Sequence, residues 1–262
     1  MKIDFTEKTV IVTGGDGAIG SAICDRFASS GSNVVIVGIN EEKGEELANG
    51  LSEKYGIKAA QIYGDVTSEQ SMIDMAKAAV SKFGRIDFLI NNAGVNVGND
   101  GRKPINEFSE KNWKWIIDVD LNGTFYCSRP IVDHMIEAGG GKIVNISSIV
   151  GLVPVRNTCS FAAAKAGVIN LTKAMALELA PHNINVNCVA PGSVIFEGTR
   201  QLVYGDPVAA ERMLSFIPMH RPGEDYEISG PVAFLCSEYA SYMTGSVMTV
   251  DGGWTCGYHK NY

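Results

Sequence analysis

No apolar run in the 262-residue sequence approaches the ~20 residues needed to cross a bilayer; the longest are short, such as Val34–Val37. The opening residues, MKIDFTEKTV, lack the apolar core of a secretory signal. Cysteine is sparse and scattered: Cys24, Cys127, Cys159, Cys188, Cys236 and Cys256 form no C-x-x-C pair, and the four histidines lie far from them in sequence. That distribution argues against a metal site and against a disulfide framework, so reduced thiols and a cytoplasmic location are expected. Clusters of Lys or Arg are also missing. With 22 basic and 29 acidic side chains the net charge is −7, which makes nucleic acid and anionic membranes unexpected partners. Linkers, low-complexity tracts and internal repeats are absent as well. What remains is an ordinary globular balance, 45% hydrophobic and 19% charged, on a chain long enough to bury a core without staples.

Strand-like and helix-like stretches alternate along the whole chain. Short apolar, β-branched stretches at Thr9–Val12, Val34–Val37, Ala59–Tyr63, Ile86–Ile90, Lys142–Ile146, Asn185–Val189 and Val247–Val250 predict strands. Helices are predicted over Ile19–Ser30 (Ile19, Ile23 and Phe27 at spacing four), Glu41–Tyr55, Ser68–Phe83, a long region around Trp113–Ile136, Phe161–Leu179 and Tyr226–Cys236. The stretch from Pro191 to Pro222 is looser. Alternation of this kind predicts an α/β fold, a single doubly wound parallel sheet of Rossmann type with helices on both faces. Residues 1–262 then form one domain, with a lid over 194–222. Such sheets bind ligands beyond the carboxyl ends of their strands, so the turns after strands one, four, five and six should meet at one crevice.

The turn after the first strand reads Thr13-Gly14-Gly15-Asp16-Gly17-Ala18-Ile19-Gly20. Small residues let the backbone turn tightly, and the following helix start offers free N–H groups and a positive dipole end to a pyrophosphate. A lone G-x-G-x-x-G also fits a plain glycine turn or another nucleotide-like ligand; no G-K-[ST] follows, so the P-loop reading fails.

Several further motifs, in order and in the right structural context, make the chain resemble the short-chain dehydrogenase/reductase family. Thr13-Gly14-x-x-x-Ala18-Ile19-Gly20 is similar to that family's T-G-x-x-x-G-x-G, with Ala18 at the middle glycine. Asn91-Asn92-Ala93-Gly94 matches its N-N-A-G, and Asn145-Ile146-Ser147-Ser148 its active-site serine strand. Lys165 stands at its lysine, Pro191-Gly192 at its P-G turn, and Thr244-Gly245 and Asp251-Gly252-Gly253 match its C-terminal strand.

The resemblance implies an NAD(P)-dependent oxidoreductase that interconverts a secondary alcohol and a ketone. Ser148 would hold the substrate oxygen, and Lys165 would contact the cofactor ribose. A tyrosine four residues before the lysine would carry the proton, but that position is Phe161. Phenylalanine keeps the ring and lacks the hydroxyl, so the resemblance implies strongly impaired turnover or, alternatively, a dinucleotide-binding sensor or scaffold without chemistry. Either the group was lost naturally or it was replaced deliberately, and the intact surroundings favour replacement.

A second departure is Asp120, where the family's V-N-L-x-G-x-F carries a catalytic asparagine. A carboxylate there would pair with Lys165, or it could be a helix-interior Asp with a local backbone bond.

Cofactor contacts implied by the resemblance are Gly14, Ala18, Ile19, Gly20, Asp65, Val66, Asn92, Ala93, Gly94, Lys165, Pro191, Gly192 and Val194; Asp16, and Asn40 as a possible ribose contact, join them on a charge argument and not on a motif match. Asp65 could equally cap a helix before Ser68. The family's acidic ribose contact falls on Gly38 and a possible arginine on Ile39, so neither cofactor signature is present. Asp16, Glu41 and Glu42 would repel a 2′-phosphate, which favours NAD over NADP without excluding the latter. Phe196, Tyr204, Met213, Phe216 and Met219 are available to line a substrate pocket. The aromatic tail Trp254–His259 could reach a neighbouring subunit, and the family is commonly tetrameric.

Overall fold

The computed structural model describes residues 3–98, 101–196 and 204–257. The β-branched runs form the strands of a seven-stranded parallel sheet: β1 (Thr9–Thr13), β2 (Asn33–Gly38), β3 (Ala59–Tyr63), β4 (Phe88–Asn91), β5 (Gly141–Ile146), β6 (Ile184–Pro191) and β9 (Val247–Val250), in the order β3-β2-β1-β4-β5-β6-β9. Strand order reverses between β1 and β4, which is where an open sheet of this type leaves a crevice.

The period-two alternation of side chains divides the core between the two faces. Val10, Val12, Val34, Ile36, Ile90 and Val144 join one cluster with Ile23 and Phe27 of α1 (Ala18–Ser29), Leu51 of α2 (Glu41–Tyr55) and Val232 of α8 (Asp225–Cys236). Ile11, Val35, Val37, Leu89 and Ile143 join the other with Met72 and Met75 of α3 (Glu69–Phe83), Ile131 and Met135 of α5 (Gly123–Glu137) and Met175 of α6 (Cys159–Leu179). Both faces being covered explains why the strands read as continuous apolar runs.

Differences from the sequence reading have local causes. The fourth strand begins at Phe88 rather than Ile86, because Asp87 is used as a bracket: its carboxylate accepts from the Thr9 N–H at 3.0 Å and pairs with Arg85 at 2.7 Å. The long helix is a continuous run from Glu110 to Glu137, but its middle, Ile117–Asn122, is a π-helical turn between α4 (Glu110–Ile116) and α5. The looser stretch contains two short paired strands, β7 (Val194–Ile195) and β8 (Gly223–Glu224), and the helix α7 (Pro207–Leu214), capped by the Asp206 side chain. Part of the expected lid, 197–203, and Tyr258 and His259 of the aromatic tail lie outside the described residues. No helix among the described residues is long and apolar enough to cross a membrane.

Candidate active site

At the carboxyl ends of β1, β4, β5 and β6 the chain leaves a cavity of about 600 Å³. Its lining includes Ile19, Asn92, Gly94, Ser148, Pro191 and Gly192, one or more residues from each of those four turns.

The β1 turn is built around glycines. Gly14 has φ +58°, a backbone conformation that favours glycine. A Cβ on Gly20 would lie 2.0 Å from the Gly14 carbonyl oxygen and 2.8 Å from the Gly15 Cα, so helix and turn are in backbone contact. Gly20→Ala should therefore cost roughly 1–3 kcal/mol by overpacking, readable as a lowered urea midpoint. The N-cap of α1 is Gly17, with no side-chain cap, so the dipole end of the helix is left to an incoming anion. Asn92 fixes the turn across the crevice: its side-chain amide donates to the carbonyls of Thr13 at 3.0 Å and Gly14 at 3.1 Å. The Thr13 hydroxyl accepts from the backbone N–H groups of Asn92 and Ala93.

The opposite wall is set by a buried polar network. Asn91 donates to Ser128 at 2.9 Å and to Asn145 at 2.8 Å, and Asn145 donates to Thr172 at 2.9 Å. These bonds tie β4 and β5 to α5 and α6, and they explain why polar residues tolerate burial there. Ser147 donates to the Lys165 carbonyl at 2.8 Å, which fixes α6 against the end of β5. The next residue, Ser148, accepts from the Val150 N–H at 3.2 Å and opens a 3₁₀ turn, Ile149–Gly151.

Lys165 and Asp120 form a buried ion pair. Nζ to Oδ2 is 3.0 Å, with the residues 5% and 1% exposed. Nζ also donates to the Ile146 carbonyl at 3.3 Å, and it sits 5.5 Å from the centroid of the Phe161 ring. The other Asp120 oxygen accepts from the Val95 N–H at 2.8 Å, a partner 25 positions away in sequence. The pairing with Lys165 is thus realised, and the side chain makes no local backbone cap. Asn122 is turned aside to Asp118. A Cβ on Gly94 would approach Nζ to 3.1 Å, so glycine leaves room for the pair. Burial raises the Asp120 pKa; the Lys165 ammonium and the Val95 N–H pull against it without reversing it.

The structure brings Ser148, Phe161, Lys165 and Asp120 together with Ile19, Asn92, Gly94, Pro191, Gly192 and Val194 around this one cavity. Gly14, Asp16, Ala18, Gly20 and Ala93 belong to the adjoining turn. Asp16 lies beyond it, over the end of β2: a Cβ on Gly38 would meet its Oδ1 at 2.5 Å.

Three expected contacts lie away from the cavity lining. Asn40 is exposed and caps α2 by accepting from the Lys43 N–H at 3.1 Å. Asp65 accepts from Thr67 N–H and hydroxyl, while Ser68 itself caps α3. Val66 packs where a Cβ on Gly123 would touch it at 2.9 Å.

Of the aromatic and methionine side chains read as pocket candidates, Phe196 and Met213 line the cavity. Tyr204 instead bonds Ser193 at 2.7 Å, Phe216 stacks on Trp254 at 5.9 Å, and Met219 is exposed. Sequence reasoning missed Arg102 and Thr158 as lining residues, because nothing in their local pattern marks them.

Known proteins are similar to this chain over nearly its whole length. The short chain dehydrogenase family profile matches residues 8–203. A 3-oxoacyl-[acyl-carrier-protein] reductase FabG of Chlamydia muridarum is 39% identical over 249 residues, 95% of this chain and 98% of that protein. A trans-4-hydroxycyclohexanecarboxylate dehydrogenase of Sinomonas cyclohexanicum is 37% identical over 256 residues, covering 96% and 94%. Among solved structures, an NAD⁺-bound xylitol dehydrogenase superposes with a TM-score of 0.89 at 32% identity, covering 95% of this chain and 99% of that one.

Proposed function

Since the chain belongs to the short chain dehydrogenase family, whose members are oxidoreductases using nicotinamide dinucleotides, we propose that its cleft takes NAD and is built to interconvert a secondary alcohol and a ketone. The observation that carries this reading is the placement of Ser148, Phe161 and Lys165 around one cavity, opposite the glycine turn. The cradle fits a dinucleotide: a backbone-tight turn, a helix start with no side-chain cap, and a buried ammonium within reach of a ribose. Bound NAD supplies the hydride acceptor. Ser148 would orient the substrate oxygen, and Lys165 would hold the ribose hydroxyls. Position 161 lines the same cavity, where a tyrosine would carry the proton, and Phe161 has no group to do so. Turnover by this chain is therefore strongly impaired, by the ~10²–10⁴ that a general acid–base group contributes.

NAD is preferred over NADP because of Asp16. Its carboxylate occupies the space above Gly38 where the family's acidic ribose contact would begin, so a charge suited to ribose hydroxyls, and hostile to a phosphate, is delivered from the glycine turn. Asp65 and Val66 lie at the adenine side, and Val194–Pro222 acts as the substrate lid. The assembly is a cytoplasmic homotetramer. The half-exposed Trp113, Trp115 and Phe125 on α4 and α5 are apolar surface that such an assembly would cover.

Fluorescence titration tests this reading. NADH should bind at least ~10-fold more tightly than NADPH, and Asp16→Asn should narrow the gap, because removing a like charge at close range is worth on the order of 1 kcal/mol. Absence of binding by either nucleotide would defeat the proposal. A second reading, a dinucleotide sensor without chemistry, is favoured by the Asp120–Lys165 pair, which satisfies the lysine internally.

A further inference from the structure

Three charged side chains line the cavity among the described residues: Asp120, Lys165 and Arg102. The first two neutralise each other at 3.0 Å. Arg102 has no ion pair and no hydrogen bond among the described residues, and its Nε is sealed from solvent without an acceptor. A charged donor left in that state is costly, so its presence calls for a partner that the described residues do not supply.

Its position is firmly held. The Gly101 N–H bonds the Gly98 carbonyl at 3.0 Å, and Gly101 backs onto Val97 so closely that a Cβ would sit 2.6 Å from the valine Cβ. Val97 in turn belongs to a small core with Ile116 of α4 and Ala164 of α6. The loop residue before Arg102 is thereby packed, through Val97, against α4 and against the helix that carries Lys165 and Phe161. Around it the cavity is largely apolar, walled by Val95, Val97, Ile149, Val155 and Met213.

We propose that Arg102 is a specificity residue that pairs with a carboxylate of the substrate, so the reacting alcohol or ketone is a small hydroxy or oxo acid with an apolar body. This rests on the oxidoreductase reading of the site and adds the chemical class of its substrate. The planar guanidinium fork matches a carboxylate with two parallel hydrogen bonds, and a low-dielectric wall strengthens the pair. A cavity of about 600 Å³ accommodates a ring or short chain bearing one acid group.

The test compares cyclohexanecarboxylate with cyclohexanecarboxamide, which have the same shape and differ in charge, by calorimetric titration with and without saturating NADH. The wild-type chain should bind the acid at least ~10-fold more tightly than the amide, the strength of a hydrogen bond to a charged group. Arg102→Met should remove that preference and leave amide affinity unchanged, whereas Arg102→Lys, which keeps the charge but not the fork, should retain part of it. Equal binding of the two probes by wild type, a preference that survives in Arg102→Met, or a parallel loss of both affinities would each overturn the proposal. Acid preference without NADH binding would leave Arg102 assigned and refute the nucleotide reading; NADH binding without acid preference would refute only the assignment of Arg102.

Discussion

Phe161→Tyr combined with Asp120→Asn should raise alcohol oxidation at pH 7 by ~10³-fold or more over the chain as it stands, and Phe161→Tyr alone should fall short of that by at least ~10-fold. The reason is electrostatic. A free tyrosine has a pKa near ~10, so it is a poor base at neutral pH unless a nearby cation favours its ionised form. Lys165 is that cation by position, 5.5 Å from the ring centroid of residue 161. Its charge, however, is already matched by Asp120 at 3.0 Å. A hydroxyl introduced beside a neutralised pair gains little, whereas an ammonium whose partner has become an amide can shift it down by ~1–3 units. Steady-state rates across pH 6–10 separate the effects. The single variant should rise steeply with pH and converge on the double variant near pH 10. Identical pH profiles for the two would show that Asp120 does not control the proton. Inactivity of both, with NADH binding intact, would favour the sensor.

Removing the other partner should act mainly on stability. Lys165→Met leaves a carboxylate 1% exposed with its cation gone, and breaking a buried pair from one side typically costs about 3–5 kcal/mol. The cost should depend on pH in a definite sense. The Asp120 pKa is raised in the folded chain even with the lysine present, and losing the ammonium raises it further. A group whose folded pKa exceeds its unfolded one holds more protons in the native state. Its contribution is complete below the unfolded value and is lost as pH climbs through the folded value. Urea unfolding of Lys165→Met should therefore show a smaller deficit at pH 5 than at pH 8. Adding Asp120→Leu should recover most of the loss at both. A deficit that grows as pH falls would contradict the assignment of burial as the dominant cause.

The sheet was legible because its strands are buried on both faces. Val34–Val37 and Thr9–Val12 carry little besides β-branched apolar residues, and no competing helix pattern fits them. The glycine turn was legible for the same kind of reason: tight backbone contact leaves few residue types that fit. Boundaries were less so. Asp87 ends the approach to β4 through bonds to Thr9 and Arg85, partners that periodicity does not reveal. The π-helical turn at Ile117–Asn122 was invisible because its side chains keep a helical pattern while the backbone widens. That widening falls on Asp120, the residue whose long-range partners, Val95 and Lys165, could not be deduced from its neighbours. Arg102 was illegible for a further reason. It stands in an irregular loop, and its significance lies in what it fails to touch.

The amide of Asn92, clasping the carbonyls of Thr13 and Gly14, has a consequence for how the protein meets a ligand. The turns that end the neighbouring strands β1 and β4 are held to one another by the polypeptide itself, so none of an incoming molecule's affinity is spent on drawing them into place. Capture on that side should be a matter of diffusion into a rigid slot, leaving any slow adjustment to the far side, where α7 and its flanking strands sit outside the sheet.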